Sequence, residues 1–413
     1  MSSVLPFDII ALIIDIVEEN NDTGLLKELA LVSHSFHQIC SKHLFATVEL
    51  HDDVCQDRIS PSMNGFVKLL RSRPNVVKYI RKFTYSFQLL GQSPYYDPSF
   101  IDDNHLLLSI LPNLLRTISH LNCFKITSQF LVDWNDLDSS LTSAFLYLMH
   151  LPTIDHIELS LILDFPLSSF NPSVNLHRLD ILHLQHLYRP ENEVSSEIVI
   201  PSESMPKIRE FHTSESLLFT TKLLHAKKRD GQPAFDFTDL RRLSICLGDE
   251  RNVQYLLQNA KLLERLHLSV GHRWSVLSLY DILLPISRTL KALDISVSIY
   301  NCSPLPLAGL CEGLEAMAGH YTLEAFSFEL LVDEYLAEDD IGSEVQRVEK
   351  VLVKPGWSVL RQVSFKVTIA CWGSSAKLYK ALVQSLPDKY LSQISKLESV
   401  DFDFSVAIDK FIS

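Results

Sequence analysis

LRRLSI at residues 240–245, LERLHL at 263–268 and LKALDI at 290–295 repeat one pattern, apolar-x-x-apolar-x-apolar. Its last two apolar positions alternate, so a short strand buries residues such as Leu266 and Leu268 and turns the intervening ones to the other side of a sheet. Downstream the pattern returns as LEAFSF from Leu323, LRQVSF from Leu360 and LESVDF from Leu397. Upstream it is IRKFTY from Ile80, LNCFKI from Leu121, IDHIEL from Ile154, LDILHL from Leu179 and a degraded IREFHT from Ile208. Helical patterns separate these strands at Leu106 to Ile118, Leu141 to Leu148, Val253 to Ala260, Leu277 to Ser287, Leu305 to Ala318, Val345 to Leu352 and Leu378 to Leu386. Strand, helix and strand in succession predict parallel pairing through right-handed crossovers, and one such unit cannot bury its apolar face without its neighbours.

The amino end reads differently. In VLPFDIIALIIDIVEENNDTGLLKELALVSHSFHQICSKHLFATVELHDD (residues 4–53), Pro6 suits the first turn of a helix, and Ile9, Leu12, Ile13, Ile16 and Val17 recur at helical spacing. Asp22 or Thr23 can cap a second helix carrying Leu25, Leu26, Leu29 and Ala30. Ser33 can cap a third, with Phe36, Ile39, Cys40 and Leu44 on one face and His34, His37, Gln38 and Ser41 on the other. Three short helices in about forty residues bury too little surface to stand comfortably alone, which predicts a partner.

This order, Leu5-Pro6 at the start and Leu31-Val32-Ser33-x-x-Phe36 later, resembles an F-box, and most of all the divergent F-box-like proteins of fungi. The resemblance implies docking on a Skp-type linker protein and through it on a cullin ubiquitin ligase. It places Leu5, Pro6, Ile9, Ile13, Leu29, Val32 and Phe36 at the linker contact. Many F-boxes carry Trp where Phe36 stands, and the smaller ring predicts a weaker contact. The alternative is a helical cap that shields the first strand of a repeat scaffold with no ubiquitin role.

Residues 80 to 405 resemble the leucine-rich-repeat domain that often follows an F-box, although the repeat starts lie 23 to 41 residues apart, against about 20 to 29 in regular repeats. The Asn that regular repeats place after the strand is missing. The expected fold is therefore α/β: a three-helix F-box-like module at 1–45, then an irregular leucine-rich-repeat-like solenoid with a curved parallel sheet at 46–413.

Composition narrows the function. With 46% hydrophobic and 21% charged residues the 413-residue chain has an ordinary globular makeup, and a net charge of −13 disfavours a nucleic-acid partner. Seven scattered cysteines without a C-x-x-C pair predict reduced thiols, and no apolar run approaches a membrane span. The expected location is intracellular, cytoplasmic or nuclear.

Three polar excursions, Gln88 to Asp103, Arg189 to Pro206 and Lys228 to Asp239, read as functional or mobile loops, and Lys227-Lys228-Arg229 reads as the solvated end of a helix. Phosphate-loop, nucleophile-elbow and zinc-protease motifs are absent from the sequence, so no catalytic residue, metal or cofactor is expected. An enzyme would require a nucleophile, a base and an oxyanion site gathered from separate repeats. His183 and His186 fall on opposite strand faces, and His34 and His37 lack a third ligand nearby.

What remains is a polar strand face. It is expected to show His156 and Glu158, His183 and Gln185, Arg242 and Ser244, Arg265 and His267, Asp294 and Ser296, Ser327 and Glu329, Ser364 and Lys366, and Asp401 and Asp403. Of these, His183, Arg242, Arg265, His267, Asp294 and Lys366 are the expected contacts to a target protein.

Overall fold

A computed structural model of the chain describes residues 7–20, 22–53, 58–59, 61–88, 109–185, 199–200, 205–246, 250–270, 279–299, 310–319, 322–333, 338–371 and 384–410. The chain divides into two compact units, residues 1–206 with 225–234, and residues 207–224 with 235–413. Each is α/β, with strands in parallel and helices between them.

The first unit opens with α1 (Phe7–Glu19), α2 (Thr23–Leu29) and α3 (His34–Leu44). Their limits follow from capping: Asp22 Oδ1 accepts the Leu25 amide at 2.9 Å, and Ser33 Oγ accepts the Phe36 amide at 3.3 Å. β1 (Thr47–Asp53), β2 (Arg58–Ile59), α4 (Pro61–Ser72), β3 (Lys82–Gln88), α5 (109–115) and β4 (Cys123–Ser128) come next. They are followed by β5 (Val132–Asp133), α6 (Ser139–Met149), β6 (His156–Ser160), β7 (Ile162–Leu163), β8 (Arg178–Leu182) and β9 (Val199–Ile200). Strands β1, β3, β4, β6 and β8 pair in that order, all parallel, and β2 adds antiparallel to β1. Register stacks the half-buried Val48 and the buried Phe83, Phe124, Ile157 and Leu179 in one row. Phe83 and Phe124 lie face to face with centroids 6.1 Å apart, and Phe145 of α6 closes over Phe124 at 5.9 Å.

The second unit begins with β10 (Glu210–Ser214) and α7 (Leu217–Leu224); β11 (Lys227–Lys228) belongs to the first unit and pairs with β9. There follow β12 (Arg242–Cys246), α8 (Glu250–Asn259), β13 (Arg265–Val270), α9 (Leu279–Leu283), β14 (Ala292–Ile299), α10 (Leu310–Met317), β15 (Ala325–Asp333), α11 (Glu338–Leu352), β16 (Gln362–Cys371), a short helix Leu386–Tyr390 and β17 (Asp401–Lys410). Its seven strands, β10 and β12 to β17, are parallel in chain order. With the five of the first unit that makes twelve parallel strands.

Backbone carbonyls set the register. In the second unit the carbonyl just before a strand accepts two successive amides from the next repeat: Arg241 O takes Glu264 and Arg265 N at 2.9 Å each, and Glu264 O takes Lys291 and Ala292 N at 2.8 and 3.0 Å. The same pair occurs in the first unit, where Ala46 O accepts the Arg81 and Lys82 amides at 2.8 Å. Four strands also leave through one left-handed residue, Leu161 after β6 (φ 57°), Asp164 after β7 (φ 52°), His183 after β8 (φ 54°) and Glu215 after β10 (φ 48°). Side chains rarely take that conformation, so its recurrence marks a shared turn.

The sequence expectations need correction at four points. LDILHL is misframed: Leu176, Leu179 and Ile181 are the buried triplet, and Leu179 stands opposite Ile157, so the repeat begins three residues earlier. LESVDF is out by two, because Phe402 rather than Val400 pairs with Val363; a slip of two preserves the faces. FATVEL at residues 45–50 is a further repeat, with Val48 and Leu50 paired to Phe83 and Tyr85. Lys227 and Lys228 lie in β11, not at a helix end, and the excursion after them returns Phe235 and Phe237 to the core. Of the other two excursions, 89–103, 189–198 and 201–204 lie outside the described residues, as does most of Leu378 to Leu386.

Candidate functional site

The helical module has its own core. Ile10, Ile14, Leu26, Ile39 and Cys40 are buried together, with Leu29, Phe36 and Leu44 packed against them. Helix α1 is apolar nearly all round, so burying Ile10 and Ile14 leaves Ile9, Leu12, Ile13 and Ile16 turned outward. Leu25 on α2 is exposed as well, and so are Leu31 (86%) and Val32 (65%) in the turn before Ser33. Seven of the fourteen exposed large apolar side chains among the described residues thus fall within residues 9 to 32. Scattered exposed leucines are ordinary; a concentration of this kind marks a surface built to be covered.

Of the residues expected at the linker, Ile9, Ile13 and Val32 present themselves to solvent, whereas Leu29 and Phe36 are half-buried against the module's core. Leu5 and Pro6 lie outside the described residues.

The polar face of the first unit carries a connected network. Register aligns Cys123, His156 and Arg178 in one row and Lys125, Glu158 and Asp180 in the next. His156 Nε2 lies 2.8 Å from Asp180 Oδ2, and its Nδ1 lies 3.2 Å from Cys123 Sγ. Asp180, only 3% exposed, also accepts from Arg178 Nε at 3.0 Å, and Lys125 Nζ pairs with Glu158. A carboxylate held by Arg178 only accepts, so Nε2 carries the ring proton and Nδ1 receives the Cys123 S–H.

Thiol, imidazole and carboxylate therefore line up across three strands, the order of a nucleophile, its base and an orienting group. Here the thiol is 5% exposed, and burial pushes it up to about 11, which keeps it protonated at neutral pH.

In the second unit Arg242 pairs with Glu210 at 3.2 Å and Lys366 with Glu329 at 2.7 Å. Arg265 is exposed beside Arg242 in register, and His267 stands opposite Asp294. Burial raises the Asp294 carboxyl, with His267 and Arg265 pulling it back. Five of the six expected target contacts thus lie on strands of one sheet face. The sixth, His183, is the left-handed residue beyond β8, and Asp180 holds the row position expected for it. An open cleft of about 430 Å³ beside this sheet is lined by Arg241, Glu264, Arg288, Lys291 and Glu324. Glu264 pairs there with both Arg241 (3.5 Å) and Lys291 (3.2 Å).

Sequence reasoning placed His156 and Glu158 on the polar face but missed Cys123, Lys125 and Asp180. Cys123 and Lys125 stood in the correctly framed LNCFKI columns, and Asp180 joins them once residues 176–181 are framed as Leu-x-x-Leu-x-Ile; the misframed repeat hid Asp180. Among the described residues no helix is long and apolar enough to cross a membrane. No protein-family model matches the sequence, and no curated protein shows significant similarity to it.

Proposed function

We propose that the chain is a substrate receptor of a Skp–cullin–F-box ubiquitin ligase: an F-box-like module docks on a Skp-type linker protein, and a leucine-rich-repeat-like solenoid holds a target protein on its polar strand face. Its contribution to ubiquitin transfer is proximity, supplied without a catalytic residue of its own. The observation that carries this reading is the outward apolar face of α1 and of the turn at Leu31-Val32, set on a module whose core is made from its own residues. Burying one such side chain in an interface is worth about 1.5–3 kcal/mol, so a few of them suffice for a stable contact. A mere cap would instead spend its apolar surface on the first strand.

The target side rests on the exposed Arg265 beside Arg242, which suits an acidic segment. Calorimetry of the full chain against a Skp-type linker protein tests docking. Micromolar or tighter binding is expected, lost in Ile9→Asp/Ile13→Asp/Val32→Asp with the circular dichroism unchanged. A folded wild-type chain that does not bind the linker would leave the helices as a cap and the protein as a scaffold.

A further inference from the structure

We infer that the polar face of the first unit holds a divalent transition-metal site whose ligands are His156 Nε2 and the carboxylates of Glu158 and Asp180, with Cys123 behind the histidine. One ligand atom from each of these three residues lies within 4.8 Å of the other two. A tetrahedral shell with metal–ligand bonds of about 2.0–2.2 Å needs separations of about 3.3–3.6 Å. The His156–Asp180 gap of 2.8 Å has to widen slightly to meet that, and Glu158, within 4.8 Å of both, has to draw in. Imidazole with two carboxylates is a donor set for zinc, manganese or ferrous iron, and three protein ligands leave a coordination position open to water or a substrate.

The surroundings suit a metal better than a plain ion-pair network does. Asp180 is a nearly buried carboxylate on a strand row whose neighbours are half-exposed, a placement that calls for strong compensation. For Asp180 that compensation comes from Arg178 and His156, and for Glu158 from Lys125; the Arg178 and Lys125 side chains are 40% and 32% exposed and can swing into solvent. Two positive charges on flexible stems stand where one divalent ion would bring the same charge. When the ion takes Nε2, the ring proton moves to Nδ1 and faces Cys123 Sγ, the outer contact that orients a ligating histidine. Rigid neighbouring strands supply all the ligands, which keeps the site in register.

The site is independent of linker docking. Titration of the full chain with Zn²⁺ and with Mn²⁺ by calorimetry, and with Co²⁺ by absorption, tests it. One equivalent of Zn²⁺ is expected to bind. His156→Ala should weaken that binding at least tenfold, and so should Glu158→Gln, which keeps the shape of the side chain. Lys125→Met should tighten it several-fold by removing the competing cation, a change that adventitious binding to other histidines would not show. The Co²⁺ spectrum should lack a thiolate charge-transfer band, since sulfur is not a ligand. Failure of both wild type and Lys125→Met to bind one equivalent would overturn the proposal, as would binding that His156→Ala leaves intact.

Discussion

Tyr85 and Glu349 show how single polar atoms are handled inside an apolar repeat stack. Tyr85 is fully buried, and its hydroxyl donates to Asp52 Oδ2 at 2.7 Å; burial, with the Asp52 charge behind it, holds the phenol well above its ordinary value. The neutral phenol is the form the fold prefers. Its contribution is therefore complete below about pH 10, the unfolded value, and fades as pH climbs from there toward the folded one. Tyr85→Phe should cost about 1–3 kcal/mol at pH 7 by urea unfolding, and the gap to wild type should narrow above pH 10. Glu349, 2% exposed, accepts the amides of Gln393 (2.7 Å) and Ile394 (3.1 Å) and so stands in for a helix cap. Glu349→Ala strands both donors and should lose about 3 kcal/mol, whereas Glu349→Gln keeps an acceptor and should lose about 1.

Between elements, the same helix can serve two masters. The buried side of α1 holds the module together through Ile10 and Ile14, and its outward side is free for a partner. Ile14→Ala should cost the module about 2–5 kcal/mol in thermal unfolding, whereas Ile16→Ala on the opposite side should change stability by less than about 0.5. Close packing of α11 on the short helix Leu386–Tyr390 depends on Gly342, where an added Cβ would meet the Tyr390 ring at 2.3 to 2.6 Å. Alanine favours a helix by about 1 kcal/mol, yet Gly342→Ala should destabilise by about 1–3 kcal/mol, because the ring has to move. Adding Tyr390→Leu should recover part of that loss; no recovery would remove the clash as its cause.

For the whole chain, the decisive prediction concerns the module and the repeats as separable parts. The module's core closes on itself, so a chain lacking residues 1–45 should unfold cooperatively within about 2 kcal/mol of the full protein, as followed by urea titration. It should also lose linker binding entirely. Aggregation, or a broad noncooperative transition, would instead identify the helices as a cap covering an apolar repeat edge.

The sequence by itself determined the parallel α/β character, the cap at Ser33, a second cap at Asp22 or Thr23 that the structure assigns to Asp22, and nine of the strand frames from Ile80 to Leu397. These are local consequences of period-two and helical burial, visible within a few residues. It did not determine which side of α1 is buried, because a helix apolar all round carries no directional signal; the packing of Leu26, Ile39 and Cys40 chooses Ile10 and Ile14. Nor did it frame the repeat at Leu176, where apolar residues three apart allow two readings and only hydrogen-bonded register selects one. On that choice depends the meeting of Cys123, His156 and Asp180, residues 33 and 24 positions apart. Strand pairing, a long-range property, placed them on adjacent strands of one face.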